Sequence, residues 1–217
     1  MRIFAVTDLH DNAEKAGELS RIIGEERPDV VLIGGDITNF GTPSRAAYML
    51  SFFTMEEGAV FFVPGNCDPK ELLGVEELED ARNVHGRRLS HDGYEILGLG
   101  GSNPTPFSTF TELSEMEIEG VLRDLKPASN TIILSHLPPY GTKMDRTFWG
   151  HHVGSRALRD FVEKSEPRLV VVGHIHEGRG KDRIGPSVLL NPGPGYRGFY
   201  AIIDIDEQDV GVSLHQL

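Results

Sequence analysis

A chain of 217 residues with 39% hydrophobic and 25% charged residues can bury a core of two or more layers, and this composition excludes a disordered or fibrous chain. A formal charge of -12 with no Lys/Arg run excludes an extended nucleic-acid surface. A single cysteine, Cys67, excludes an internal disulfide, and the short apolar start before Thr7 and the lack of any run near roughly eighteen apolar residues argue against a signal peptide or membrane span. One cytoplasmic domain over residues 1–217 is expected, without a membrane partner.

Arg2 to Val6 reads as a short apolar strand that stops at Asp8 and His10. Asp11 or Asn12 can cap the helix that follows, whose stripe is Ala16, Leu19, Ile22 and Ile23, and Pro28 closes it. Val30 to Ile33 is the next strand and runs through two glycines into Asp36. Thr42 and Pro43 open a helix predicted to reach about Thr54, with Ala46, Ala47, Leu50 and Phe53 buried. The third strand, Ala59 to Val63, leads into Pro64, Gly65, Asn66, Cys67 and Asp68.

A polar stretch from Glu71 to Asp80 precedes a hairpin, Gly86 to Leu89 and Tyr94 to Leu99, turned at His91, Asp92 and Gly93. Gly100 to Phe110 is a loop by composition, and Glu112 to Leu125 has helical spacing. Thr131 to Leu134 is a strand that ends at His136. A long loop, Tyr140 to Gly154, comes before a helix from Ser155 to about Lys164. Leu169 to Val172 then reads as a strand covered on both faces, and it ends at His174 and His176. In extended chain these two rings share a side, with Cα atoms roughly 7 Å apart, a spacing that suits two metal ions side by side. Ser187 to Leu190, Phe199 to Ile205 and Val210 to Leu214 are the last strands, with Asn191 to Tyr196 as the turn between the first two. His85, His91 and His215 read as surface or turn residues.

Five strands therefore end in Asp8/His10, Asp36, Asn66, His136 and His174/His176. In open α/β sheets ligands bind beyond the carboxyl ends of the strands, so these seven side chains converge. Carboxylate, amide and imidazole donors suit Mn, Fe, Co, Ni or Zn and offer little to a thiophilic metal.

The blocks TDLH, IGGD, PGNCD, LSHLPP and GHIH, in this order from Asp8 to His176, resemble the five signatures of the calcineurin-like metallophosphoesterases. The resemblance implies an α/β fold, a four-layer α/β/β/α sandwich of two mixed β-sheets flanked by helices. It implies a first divalent ion on Asp8, His10 and His176, a second on Asn66, His136 and His174, and Asp36 between them, with Mn first among the metals. The activity implied is hydrolysis of phosphoesters by a water held between the ions, an arrangement whose net positive charge would draw a small phosphorylated substrate into an acidic protein. GSNPTPF, HLPPYGTKMD and GHHVGS resemble a bacterial and archaeal branch of small phosphoesterases, and similar GNCD members imply phosphodiesters over monoesters.

One position departs from the family pattern: Cys67 stands where a histidine usually pairs with the acid, here Asp68, to protonate the leaving group. Three readings stay open, namely a leaving group that departs unassisted or takes its proton from solvent, Cys67 as a modest acid, or His151 or His152 as substitute. A small buried side chain with no catalytic part is a further reading of Cys67. Asn66, Cys67, Asp68 and His152 are thus the catalytic candidates. Asn66, His152, Pro106, Phe148 and Trp149 are the substrate-binding candidates, the last three as a pocket wall. A non-catalytic scaffold of the same fold, used for protein binding, is the alternative, opposed by the full ligand set. Homo-oligomerisation stays open.

Overall fold

Alternate residues of the central strands enter different apolar layers, as the two-residue period of extended chain requires. A computed structural model describes residues 1–125, 127–128 and 130–217. In it β1 (Arg2–Val6) sends Phe4 and Val6 to one side and Ile3 and Ala5 to the other. The same split recurs in β2 (Val30–Ile33) and β3 (Ala59–Phe62). Phe4, Val31, Ile33 and Phe62 meet α1 (Ala13–Glu26) and α2 (Pro43–Leu50) through Ala16, Leu19, Ala46 and Met49.

A short strand β4 (Glu77–Leu78) and β5 (Ala81–Asn83) extend this sheet, and the hairpin of β6 (Arg88–His91) and β7 (Tyr94–Leu99) starts the next. The remaining elements are α3 (Glu115–Asp124), β8 (Thr131–Ser135), α4 (Arg156–Ser165), β9 (Leu169–Val171), β10 (Gly180–Ile184), β11 (Ser187–Asn191), β12 (Phe199–Ile205) and β13 (Val210–Gln216). The described residues form a seven-stranded sheet, ordered β13-β12-β1-β2-β3-β5-β4, and a six-stranded sheet, ordered β10-β11-β9-β8-β7-β6. Each has a parallel centre and antiparallel edges, so both are mixed. Ile3, Leu32, Phe61, Ile132, Leu134 and Val171 fill the space between them. Ile133, Val170 and Leu189 pack outward on Ile118, Leu122, Leu158 and Val162 of α3 and α4. The result is the expected α/β/β/α sandwich.

Local signals account for most boundaries. Asn12, Thr42, Ser114 and Ser155 each accept a backbone N–H as N-caps, and Ser114 with Glu117 completes a capping box. The second helix stops at Leu50, and a 3-10 turn over Ser51–Phe53 takes up the segment expected to stay α-helical. β10 lies outside the strands the periodicity predicts, because GKDRI is a polar edge strand with only Ile184 buried. Asn191 to Tyr196 is not a hairpin turn; it carries the chain from one sheet to the other, since β11 and β12 belong to different sheets. His85 is also no plain surface residue, as its Nδ1 accepts the Gly100 N–H at 2.8 Å.

Candidate metal centre

The loops after β1, β2, β3, β8 and β9 meet at one edge of the paired sheets. Four of the seven candidate ligands have left-handed backbone: Asp8 (φ 54), His10 (φ 43), Asp36 (φ 46) and His174 (φ 66). Such conformations cost roughly 1–3 kcal/mol each and persist where the surroundings over-determine them. Here the backbone N–H groups of Asp8 and His10 donate to Gly35 and Asp36 carbonyls at 2.9 Å, and those of Gly195 and Tyr196 donate to Thr7 and Asp8 carbonyls. Two glycines allow the loops to close. A Cβ at Gly65 would overlap Asp36 N and Oδ1, and one at Gly173 would overlap Thr7 Oγ1 and crowd Asp8 Oδ2.

Two clusters result, joined by Asp36. In the first, His10 Nε2 lies 3.4 Å from His176 Nε2 and 3.6 Å from Asp36 Oδ2, and His176 Nε2 lies 3.4 Å from Asp8 Oδ1. Donors around one ion at bond lengths near 2.1 Å stand roughly 3.0–3.4 Å apart, so this spacing fits a shared cation. In the second, His136 Nε2 is 2.9 Å from Asn66 Oδ1 and 3.4 Å from Asp36 Oδ1, and its ring lies 5.2 Å from that of His174. Because His174 turns left-handed, the two imidazoles of HIH separate, one to each cluster, instead of leaning together as in extended chain.

The electrostatics are those of a site built for positive charge. His136 Nδ1 meets the Gly34 carbonyl at 2.7 Å, which makes Nδ1 the protonated nitrogen and leaves the Nε2 lone pair facing two oxygen acceptors. A proton or a metal ion at Nε2 would reconcile them. Burial opposes ionisation of Asp8, but the His176 hydrogen bond and the charges of His136, His176 and His10 outweigh it and hold the carboxyl below the usual range. Burial, then the charge of His136, pushes His174 down to about 4, which keeps it neutral with a lone pair to give. Burial also pulls on His176, yet the Asp8 hydrogen bond and nearby carboxylates raise it.

The remaining candidates are placed differently. Asp68 is 0% exposed and accepts the N–H groups of Ile37, Thr38 and Gly65 and the Thr38 hydroxyl at 2.7–3.0 Å. It ties the Asn66 turn to the Asp36 loop, while burial and then the Asp36 carboxylate push it up to about 6. The Cys67 N–H donates to Asp36 Oδ1 at 2.8 Å, and burial followed by Asp36 pushes its thiol up. His152 is exposed, with Nδ1 2.7 Å from Asp145 Oδ1. Phe148 and Trp149 are 81% exposed and contact each other edge to face, and Pro106 is exposed. Tyr196, which composition hid inside a turn, sets its ring 5.6 Å from His10 and 5.5 Å from His176. Asp145, also missed, organises the long loop. The large recess lined by Arg27, Asp29, Glu56 and His91 holds none of the candidate ligands.

Residues 1–178 match the family model of the calcineurin-like phosphoesterases. The chain is 36% identical over 202 residues to an uncharacterized protein of Methanocaldococcus jannaschii, covering 89% of this chain and 88% of that one. It is 24% identical over 215 residues to a 3',5'-cyclic-nucleotide phosphodiesterase of Nostoc sp., covering 90% and 79%. A crystal structure of a Thermus thermophilus protein superimposes with a TM-score of 0.76 at 19% identity, covering 98% and 97%. Among the described residues no helix is long and apolar enough to cross a membrane. With the motifs, the two-sheet fold and a match over most of its length in agreement, the chain belongs to the calcineurin-like phosphoesterase family.

Proposed function

We propose that the protein is a phosphodiesterase that cleaves small phosphodiesters at a centre for two divalent ions, manganese first among them. The observation that carries this reading is the His136 lone pair directed at Asn66 and Asp36 oxygens, with His10 and His176 nitrogens facing each other beside Asp8 and Asp36. Asp8, His10 and His176 would hold one ion and Asn66, His136 and His174 the other, with Asp36 shared. The donor chemistry fits, since neutral imidazoles, an amide and two carboxylates are the N/O set that borderline and hard divalent ions take. When bound, such ions neutralise phosphoryl oxygens and acidify a water for in-line displacement.

The protein's own groups then bind and orient. The Gly34 carbonyl fixes the His136 tautomer, and Tyr196 packs on the edges of His10 and His176. Asp68 acts by position, clamping the Asn66 turn on Asp36, because its carboxylate is spent on four donors. Pro106, Phe148 and Trp149 offer an exposed apolar rim to the organic part of a substrate. The net charge of -12 disfavours long polyanions, and the name of the Nostoc relative favours diesters. The test is hydrolysis of a chromogenic phosphodiester and the matching monoester by purified protein with added Mn²⁺, beside Asp36→Asn. Faster turnover of the diester, lost in the variant, supports the reading; absence of any hydrolysis would leave a metal-binding scaffold.

A further inference from the structure

We propose that Asp145 and His152 form a dyad whose imidazole protonates the leaving oxygen of the substrate, with His152 as the catalytic residue and Asp145 as its positioning residue. This rests on the phosphodiesterase reading above. Asp145 is 0% exposed, yet among the described residues no cation is paired with it other than the His152 ring. The N–H groups of Gly141, Thr142 and Gly154 donate to its two oxygens at 2.9–3.0 Å, and His152 Nδ1 completes the set at 2.7 Å. Bonded at Nδ1, the imidazole is left with Nε2 as its working atom, and among the described residues that nitrogen makes no hydrogen bond. A buried carboxylate that holds one imidazole nitrogen while the other stays open is the orientation general acid–base catalysis requires.

The loop is also tied to the segments that carry two of the candidate ligands, His176 and Asn66. On one side the Phe148 N–H donates to Glu177, the neighbour of His176, and Met144 backbone packs so closely on Gly178 that a Cβ there would overlap it. On the other side Asn103 donates to the Val153 carbonyl, and the loop that carries Asn103 is bonded to Asn66 through the Thr111 N–H. The loop that carries His152 is therefore tied at Phe148 to the segment after His176 and at Val153 to the segment bonded to Asn66.

In the step assigned here, the oxygen of the attacking water forms a bond to phosphorus and the bond from phosphorus to the ester oxygen breaks. The electron pair goes to the departing oxygen, which takes the proton from His152 Nε2. The neutral imidazole keeps its Nδ1–H on Asp145 and regains a proton from solvent, which also receives the proton lost by the water. Besides Asp145, the groups around the ring are Tyr140, 5.8 Å away, Arg156 stacked over Tyr140, Arg146 across a backbone bridge, and the adjacent His151.

Leaving-group dependence tests this. The protein with added Mn²⁺ is assayed on bis(para-nitrophenyl) phosphate, whose leaving group needs little help, and on diphenyl phosphate, whose phenol has a tyrosine-like pKa of about 10. His152→Ala should lose about 100-fold more kcat on the diphenyl ester than on the nitrophenyl ester, the low end of what general acids contribute. Equal losses on both, or none, would overturn the dyad. Asp145→Asn should lower kcat on the diphenyl ester with KM unchanged and move the alkaline limb of the pH profile to lower pH. An unmoved limb would make Asp145 merely structural. The His152→Ala comparison stands whether or not Asp145→Asn folds. Wild-type protein that cleaves neither ester would instead refute the phosphodiesterase reading itself.

Discussion

Replacing Cys67 by alanine separates what the main chain does at the Asn66 turn from what the thiol does. The turn is held by the Cys67 N–H on Asp36 Oδ1 at 2.8 Å, by the Cys67 carbonyl accepting the Phe40 N–H at 3.1 Å, and by Asp68; none of these uses the sulfur. The sulfur itself lies 3.6 Å from Asn66 Nδ2 and within 4.8 Å of donor atoms of His10 and Asp36, and the thiol can donate to the Asp36 carboxylate. Removing it forfeits burial worth about 0.8 kcal/mol for a methylene-sized group plus a similar cavity term, so stability should fall by about 1–2 kcal/mol. The thiol is a poor acid, since burial and then Asp36 hold its proton. Hydrolysis of bis(para-nitrophenyl) phosphate by Cys67→Ala should therefore stay within about tenfold of wild type, or about 1.4 kcal/mol in the barrier. Steady-state kinetics with metal analysis of the same sample decides it. A loss near a thousandfold, about 4 kcal/mol, with metal content unchanged would make the thiol part of the chemistry and refute this reasoning.

Asp68→Asn leaves one side-chain oxygen for four buried donors, so at least two go unpaired at about 1–3 kcal/mol each. Urea unfolding should show a loss of several kcal/mol, and a change below about 1 kcal/mol would contradict the clamp. Gly173→Ala should keep the far-ultraviolet circular dichroism of the fold but lower bound metal, because the new Cβ overlaps Thr7 Oγ1 and crowds Asp8. Full metal content in that variant would be inconsistent with the close approach. Burial, then Arg87, pushes His85 down to about 4 from an unfolded value of 6.5, so between these values the unfolded chain binds more protons. Its contribution is complete above pH 6.5 and falls away as pH drops toward 4. His85→Gln, which still offers an acceptor to Gly100, should flatten the loss of stability in that window; an unchanged slope would argue against it.

The layers and the convergence of the seven candidate side chains were legible because each central strand is a short apolar run that breaks at an N/O donor, and alternation then forces a two-sided core. How they divide between two clusters followed from the resemblance of the motifs and not from spacing. His174 and His176 diverge because of a left-handed backbone that no local preference in GHIH demands, imposed by the loops around Asp8. Tyr196 and Asp145 stayed hidden for a related reason. Tyr196 reaches the centre only because the chain changes sheets at Asn191 to Tyr196, and Asp145 sits in a loop with no periodicity, its meaning set by three backbone N–H groups brought in from Gly141, Thr142 and Gly154. The polar edge strand β10 and the early end of α2 depend on neighbours in the same way.

Anomalous diffraction from crystals grown with Mn²⁺ addresses the central claim most directly. Two peaks roughly 3.5–4 Å apart are predicted, one against Asp8, His10 and His176, the other against Asn66, His136 and His174, with Asp36 touching both. A single peak, or ions bound away from these side chains, would contradict it.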